Sequence, residues 1–350
     1  RVGLVVNQTS TIGEDHLVDR LLLHELNIKK IFSPEHGFRG KADAGQQIRD
    51  GKDLKTGIPL LSLYGKKKKP SPSDLANLDI IVFDIQDVGA RFYTYISTLA
   101  YLMEACAENN LPLLILDRPN PNGHFVDGPV LDLAYRSFVG MHEVPIIHGM
   151  TVGEYARMLN GEGWLKNGVV CDVRIITCIN YSHKVFYNLP VKPSPNLPNM
   201  RSIYLYPSLC LFEGTEVSIG RGTDRQFQVI GHPDFKMGDF SFIPSPREGA
   251  QSPKLQGKTC QGYDLSYLEL TDLRRTKELN LNYLIDFYHN FSKPTKFFLK
   301  NNFFDKLAGS SVLRKQIQNG FDAATIRESW QADLNEFKKK RQQYLLYEDF

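Results

Sequence analysis

Short apolar runs alternate with amphipathic segments along the first 120 residues of the chain. The apolar runs at Val2–Val6, 79–83 and Leu113–Leu116 are typical of strands that are buried on both faces. Apolar residues at helical spacing predict one helix over 15–26 and a second helix around 99–106. This alternation predicts an α/β fold in which helices cover both faces of a mostly parallel sheet.

The pattern changes at about residue 200. Four prolines from Pro190 to Pro198 are typical of an extended connector. Beyond them, aromatic and glycine residues are more frequent, and two short strands are predicted at 217–219 and 227–230. We therefore expect a second, smaller α/β domain, which ends in a helix over 326–347 that packs on the rest of the molecule.

Polar side chains occur where the predicted strands of the first part end. The carboxyl ends of parallel strands meet at one edge of a sheet, and in open α/β sheets this edge lines the ligand crevice. We therefore expect these side chains to lie along one crevice. In chain order they are Asn7, Glu35, Asp84 with Asp87, and Asp117 with Arg118.

The loop at 33–40 concentrates chemically active groups after one of these strands. It contains a carboxylate (Glu35), an imidazole (His36) and a guanidinium (Arg39), together with two glycines. Glycine allows the backbone to approach a ligand closely. We interpret Glu35 as a functional residue; the alternative is an ordinary solvated loop.

A second cluster contains Glu143 between His142 and His148, directly before a predicted helix. Thr151 and Glu154 have the spacing of a capping box at the start of that helix. The histidine spacing, with a proline between the two, does not match a HExxH zinc site. His148 fits a site residue and a buried imidazole bonded to the backbone equally well.

A third cluster covers 212–225 and contains Glu213, Arg221 and Arg225. Its segment 220–223, Gly-Arg-Gly-Thr, resembles an anion-binding nest of successive backbone amides. It is neither a P-loop nor a complete dinucleotide fingerprint. The alternative is a tight turn with exposed arginines.

The composition is that of an ordinary globular protein, and its net charge gives no indication of nucleic acid binding. The 350 residues are 42% hydrophobic and 23% charged, with a net charge of +3, which is ordinary for a globular protein. Five cysteines have no metal-binding spacing, and no apolar run is long enough for a transmembrane helix. The chain begins at Arg1 inside a strand-like run, so we expect that a preceding segment, which could carry a secretory signal, is absent.

The residue types favour glycoside hydrolysis over other hydrolytic chemistry. No GxSxG elbow is present, and no cysteine lies in an electropositive loop motif. Carboxylates that converge with arginine, tyrosine and histidine supply what a glycosidase needs, namely one acid for the leaving oxygen and a second group for the sugar. Tyr93 and Tyr95 could stack on a sugar, or they could be core aromatics.

Six motifs together carry a resemblance to a known family. They are NQTS at 7–10, SPEHGFRG at 33–40, FDIQDVGARFYTY at 83–95, LDRPNPNG at 116–123, HEVPIIHGMT at 142–151 and FEGTEVSIGRGTD at 212–224. The chain resembles the NamZ-type exo-β-N-acetylmuramidases over essentially its whole length.

The resemblance implies a Rossmann-like catalytic domain at 1–200 and a smaller α/β domain at 201–350 that closes a cleft between them. It implies removal of terminal N-acetylmuramic acid (MurNAc) from the non-reducing end of peptidoglycan fragments, in cell-wall turnover and recycling. The partner would be a MurNAc-GlcNAc saccharide, without a cofactor, a metal, nucleic acid or a partner protein. A periplasmic or secreted location follows from that substrate.

Site residues are hypotheses within this framework. Glu35 would be the general acid and Glu143 the second catalytic carboxylate. Muramic acid carries a lactyl carboxylate, which calls for an arginine with a rigid fork of donors; Arg39, Arg118, Arg221 and Arg225 are the candidates. The predicted substrate-binding residues are Asn7, His36, Arg39, Asp84, Asp87, Tyr93, Arg118, His148, Glu213, Arg221 and Arg225.

Two rival classes remain at this point. A non-hydrolytic peptidoglycan-binding protein would use the arginines and aromatic residues but would not need a poised acid. A metal-dependent hydrolase would use His36, His142 and His148 with nearby acids and would be sensitive to a chelator.

Overall fold

A seven-stranded sheet forms the centre of the protein in the computed structural model, which describes residues 1–35, 37–38 and 50–350. The strands are β1 (Val2–Val6), β2 (Thr11–Ile12), β3 (Asp15–His16), β4 (Ile28–Ser33), β5 (Gly51–Lys52), β6 (Pro59–Ser62), β7 (Ile80–Asp84), β8 (Leu113–Leu116), β9 (Val173–Ile176), β10 (Val229–His232), β11 (Phe240–Phe242) and β12 (Cys260–Asp264).

Helices pack around this sheet and form most of the second part of the chain. They are α1 (Leu17–Leu23), α2 (Pro72–Leu75), α3 (Tyr95–Glu108), α4 (Val152–Gly161), α5 (Met200–Leu209), α6 (Leu270–Thr276), α7 (Asn282–His289), α8 (Phe303–Ala308), α9 (Val312–Gln318), α10 (Ala323–Glu328) and α11 (Gln331–Gln342). Short 3₁₀ helices occur at Leu133–Tyr135, Lys166–Gly168, Cys210–Gly214 and Pro294–Lys296.

The strand order of the central sheet is β5-β6-β4-β1-β7-β8-β9. Every neighbouring pair is parallel except β5 and β6 at one edge. The parallel strands, counted along the chain, therefore have the order 3-2-1-4-5-6, which is doubly wound and reverses direction between β1 and β7. The predicted α/β fold with a mostly parallel sheet is confirmed.

Residues of β1 face two hydrophobic cores because side chains alternate along a strand. Leu4 and Val6 pack in one core, whereas Val5 packs in the other. The core of Val5 continues into the second part of the chain, where it includes Phe287 and Trp330. The two parts are thus joined by shared apolar packing.

The smaller, antiparallel sheet has the order β10-β12-β11. The strand predicted at 227–230 appears as β10, but the strand predicted at 217–219 does not form; Ser218 makes a single bridge with Gly231 instead. No described helix is both long and apolar enough to span a bilayer.

The helix predicted over 326–347 is wrong in its extent. The chain breaks between α10 and α11, and Trp330 lies in the break with φ −106° and ψ 3°. Trp330 is buried at this break, and its indole N–H donates to Asp127 Oδ1 at 3.2 Å. Apolar residues of α11, such as Leu334 and Phe337, pack in the core as expected.

The helix predicted over 15–26 is also shorter in the structure, because residues 11–16 form the hairpin β2–β3. His16 ends the hairpin and begins α1, where its Nδ1 accepts the Val18 N–H at 3.2 Å. Helix α3 and the capping box of α4 agree with the prediction.

Candidate active site

A cleft of about 540 Å³ lies where the loops after β4 and β7 face the second part of the chain. The second part contributes the end of α5, the 3₁₀ helix Cys210–Gly214, the turn that follows it and the segment 249–254. Side chains lining the cleft include Glu35, Tyr64, Tyr93, Thr94, Tyr95, Phe138, Tyr206, Glu213, Arg221, Phe227 and Lys254.

Glu35 enters the cleft from a tight turn directly after β4. The Gly37 N–H donates to Pro34 O at 3.1 Å, and Gly37 has a φ of +77°, which favours glycine. The Glu35 side chain is half-buried, and its Oε2 accepts the Thr94 hydroxyl at 2.9 Å. Thr94 precedes α3, so strands β4 and β7 together position this carboxyl group.

Glu213 is the second carboxylate of the cleft. Arg221 Nε donates to Glu213 Oε1 at 2.6 Å. Burial opposes ionisation of Glu213, but the charges of Arg221 and Lys254 outweigh it, so the pKa of this carboxyl is lowered. Glu213 is therefore an ionised group at neutral pH.

Arg221 is presented by a turn that requires glycine on both sides of it. Gly220 and Gly222 each have a φ of +78°, and a Cβ on Gly220 would lie 2.6 Å from the Arg225 carbonyl oxygen. The guanidinium lies 5.1 Å from the Phe227 ring, and neither of its Nη groups has a hydrogen-bond acceptor among the described residues. Arg221 thus retains two donor groups for a ligand in the cleft.

The predicted anion nest at 220–223 has a different form in the structure. The Thr223 N–H donates to Gly220 O at 3.1 Å, and the Thr223 hydroxyl donates to the same oxygen at 2.7 Å. Both hydrogen bonds are made within the turn itself. The turn contributes the Arg221 side chain to the cleft.

Lys254 fixes the segment 249–254 against the 3₁₀ helix. Its Nζ donates to Thr215 O at 2.6 Å and to Phe212 O at 3.3 Å. Burial lowers the pKa of Lys254 and outweighs the opposing charges of Glu213 and Glu216. No motif distinguishes this lysine in the sequence, and its role becomes visible only with the fold.

The aromatic residues Tyr93 and Tyr95 form the floor of the cleft more than a stacking face. They are buried and pack edge to face, with ring centroids 4.8 Å apart. Tyr93 OH donates to Pro193 O at 2.9 Å. Tyr64 and Phe138, with centroids 6.1 Å apart, are more exposed walls that sequence reasoning missed.

Several residues predicted at strand ends stabilise the loops behind the cleft and do not line it. Asn7 is fully buried, and its amide donates to Tyr95 OH at 3.0 Å. Asp84 and Arg118 form a bidentate ion pair at 2.5 and 3.0 Å. Asp87 is buried, and burial raises its pKa to about 7.

Glu143, predicted as the second catalytic carboxylate, is exposed and does not line the cleft. The two histidines of the same cluster, His142 and His148, are both buried in the core. His148 is fully buried and its Nδ1 accepts the Met150 N–H at 3.2 Å. Arg225 pairs with Asp264 outside the cleft.

The structure brings together four of the predicted site residues, namely Glu35, Tyr93, Glu213 and Arg221. His36 and Arg39 lie outside the described residues. Thr94, which holds Glu35, was missed, although a threonine at a predicted helix start is a signal that could have indicated it. Within the described ranges, no group of three or more His, Cys, Asp or Glu side chains could hold a metal ion.

Two carboxylates in one cleft with aromatic walls are typical of glycoside hydrolases, and the comparisons with known proteins agree with that class. Family models described as "Exo-beta-N-acetylmuramidase NamZ", N-terminal and C-terminal, match residues 2–201 and 204–347. The chain belongs to this NamZ family. A peptidoglycan β-N-acetylmuramidase NamZ from Bacillus subtilis (strain 168) is 40% identical, over 99% of this chain and 87% of that protein.

Two crystal structures of DUF1343 family proteins from Bacteroides fragilis NCTC 9343 have the same fold. One, at 1.30 Å resolution, is 49% identical with a TM-score of 0.93, and the match covers 100% of this chain and 94% of that one. The other, at 1.65 Å resolution, is 29% identical with a TM-score of 0.80, over 99% and 94% of the two chains.

Proposed function

We propose that this protein is an exo-β-N-acetylmuramidase, a glycoside hydrolase that releases terminal MurNAc from the non-reducing end of peptidoglycan fragments. The observation that carries the proposal is the meeting of Glu35 and Glu213 in one cleft of a chain that both NamZ family models match. Its role would be the turnover and recycling of cell wall, at a periplasmic or secreted location where that substrate lies.

Glu35 acts as the general acid. Its carboxyl accepts a hydrogen bond from the Thr94 hydroxyl, and it faces the cleft where the glycosidic oxygen would lie. Proton donation to that oxygen allows the bond to break while positive charge develops on the sugar ring. Glu213, which is ionised, replaces Glu143 as the candidate for the second carboxylate and stabilises this charge.

Arg221 recognises the lactyl carboxylate that distinguishes MurNAc from GlcNAc. Its Nε is bound to Glu213, which fixes the plane of the guanidinium and leaves both Nη groups available for a bidentate contact. The aromatic walls Tyr64 and Phe138 would contact the apolar face of the sugar.

A comparison of two leaving groups tests the assignment of Glu35. Glu35→Gln should lower the release of MurNAc from MurNAc-GlcNAc by about 10²–10⁴-fold, because the leaving sugar oxygen needs a proton. With para-nitrophenyl MurNAc the loss should be much smaller, since nitrophenolate leaves without protonation. Binding of the disaccharide, measured by calorimetry, should change little.

Glu143→Gln is the matched control, because it makes the same change at an exposed carboxylate outside the cleft. It should leave both reactions unchanged. Normal turnover of the disaccharide by Glu35→Gln would contradict the assignment. An inactive wild-type protein that still binds the disaccharide would favour the non-hydrolytic class, and loss of activity with a chelator would favour the metal-dependent one.

A further inference from the structure

A second cavity, of about 510 Å³, lies between α6 and the chain after β9. We call it the basic groove, and the residues that define it are Lys184, Phe186, Arg274, Arg275, Lys277 and Phe350. Four of these six side chains are cationic and two are aromatic. No carboxylate side chain among the described residues lines it.

Helix α5 separates the basic groove from the active-site cleft. Tyr206 of α5 lines the cleft, whereas Tyr204 packs against Phe186 of the groove with ring centroids 6.5 Å apart. Residues two positions apart point to different sides of a helix. The groove is therefore a site distinct from the cleft.

Arg274 is oriented before any ligand arrives. Its Nη2 donates to Lys184 O at 2.6 Å, and its guanidinium carbon lies 5.8 Å from the centre of the Phe186 ring. The Arg274 carbonyl oxygen also lies 3.1 Å from His124 Nε2. A cation that is held in place loses less conformational entropy when it binds an anion.

The cations of the groove are weakly neutralised. Arg274 and Lys277 have no ion pair with a described residue. Arg275 approaches Asp272 only to 3.8 Å, and Lys184 pairs with Glu348 at 2.5 Å with both side chains more than half exposed. Exposed pairs of this kind contribute about 0–1 kcal/mol, so an anionic ligand can replace them.

Stabilisation of the α6 dipole accounts for only part of this pattern. Cations at a helix C-terminus are favourable, and Arg274 and Arg275 lie in the last turn of α6. Lys184 belongs to a different segment, however, and Phe186 and Phe350 are 47% and 42% exposed beside the charges. Charge and exposed apolar surface together fit a ligand that carries both carboxylates and short apolar side chains.

We propose that the basic groove binds the short acidic peptides carried by peptidoglycan, through their free carboxylates. This inference rests on the proposed function, because it concerns the same polymer. A peptide in the groove would belong to a neighbouring part of the polymer, since α5 lies between the groove and the cleft. Two sites on one polymer raise the effective concentration of the sugar end at the cleft.

Direct binding of a synthetic peptide, N-acetyl-L-Ala-γ-D-Glu-L-Lys-D-Ala, to the full chain tests the groove itself, because acylation of the first nitrogen leaves the peptide net negative. The double variant Arg275→Gln/Lys277→Gln should weaken binding in calorimetry by at least about 10-fold, because two charge-assisted contacts are lost. Lys29→Gln/Lys52→Gln is the control, since it removes the same charge at exposed positions on β4 and β5. It should bind the peptide as the wild type does.

Turnover separates this inference from the proposed function. The groove variant should hydrolyse MurNAc-GlcNAc as the wild type does. From glycan in which only the terminal MurNAc is peptide-free and the neighbouring units keep their peptides, it should release MurNAc more slowly than the wild type does, whereas the two proteins should act equally on glycan whose peptides an amidase has removed. An inactive wild type would overturn the proposed function and leave the peptide titration valid. Equal peptide binding by wild type and groove variant, or inorganic phosphate binding as tight as peptide binding, would overturn the inference.

Discussion

At the scale of single residues, hydrogen-bond partners distinguish the three described candidate arginines, which look alike in the sequence. Arg118 is held by both oxygens of Asp84, and Arg225 pairs with Asp264 outside the cleft. Arg221 alone among the described candidates lines the cleft. These partners are 34 and 39 residues away along the chain, so no local pattern could have distinguished the three arginines.

We predict that Arg221 determines the preference for MurNAc. Arg221→Met should raise KM for para-nitrophenyl MurNAc by about 30–100-fold, because a bidentate contact to a carboxylate is lost. Specificity is measured by the inhibition constants of the two free sugars. The inhibition constant of MurNAc should rise as much as KM does. The inhibition constant of GlcNAc, which has no lactyl group, should change by less than about 3-fold.

Arg225→Met is the control for this prediction, because it removes an arginine from the same segment without altering the cleft. Its KM should stay near that of the wild type. Equal weakening of MurNAc and GlcNAc by Arg221→Met would assign Arg221 to the architecture of the cleft and not to carboxylate recognition.

At the scale of elements, the sequence predicted strands β1, β4, β7 and β8 of the parallel sheet and the residues at their ends, but not β6. Continuous apolar runs identify buried strands, and the carboxyl ends then share one edge by topology. The pattern could not predict which of these side chains line the cleft. Glu35 faces the cleft, whereas Asn7 and Asp87 are buried behind it. Breaks such as the one at Trp330 depend on a tertiary partner, here Asp127.

The start of α4 offers a prediction at this scale. The Thr151 hydroxyl accepts the Glu154 N–H at 3.2 Å and donates to Asp117 Oδ2 at 2.7 Å. Thr151→Val keeps the shape of the side chain but removes both hydrogen bonds at a buried site. The free energy of unfolding should fall by about 2 kcal/mol, measured by urea denaturation.

Thr151→Ser provides the matched control, because it retains the hydroxyl and removes only a methyl group. It should lose about 1 kcal/mol or less. If the valine and serine variants were equally stable, the capping box would contribute nothing measurable to this helix.

At the scale of the whole molecule, the two parts of the chain meet through contacts that sequence patterns do not encode. Arg91, fully buried, donates to Val144 O at 2.7 Å and to Leu307 O at 2.9 Å, 216 residues further along the chain. Arg91 adjoins the floor of the cleft, and Leu307 lines its other wall. The sequence therefore indicated two α/β parts. Which residues line the cleft between them becomes visible only in the assembled structure.

Buried histidines make the assembled molecule sensitive to acid. Burial lowers the pKa of His124 to about 4, and those of His142 and His148 to about 3. Below pH 6.5 the unfolded chain therefore binds more protons than the folded one, and the free energy of unfolding falls as the pH decreases toward those values. Burial of Asp87 and Asp117, whose pKa values are raised to about 7 and about 6, acts in the opposite direction.

His142 isolates one such contribution. Its ring stacks on Trp164 with a centroid distance of 5.5 Å, and its Nδ1 lies 3.0 Å from Tyr155 OH. His142→Gln should be less stable than the wild type at pH 7 because the stacking is lost. Between pH 7 and pH 5, however, its free energy of unfolding should fall by about 2 kcal/mol less than that of the wild type. The reason is that the variant has one group fewer that binds a proton on unfolding.

Urea denaturation at both pH values measures this difference, and His289→Gln, at an exposed position, is the control that should keep the wild-type pH dependence. The buried histidines act on unfolding from the core, and none of them lines the cleft. An unchanged pH dependence in His142→Gln would contradict the protonation of this buried histidine as a cause of acid unfolding.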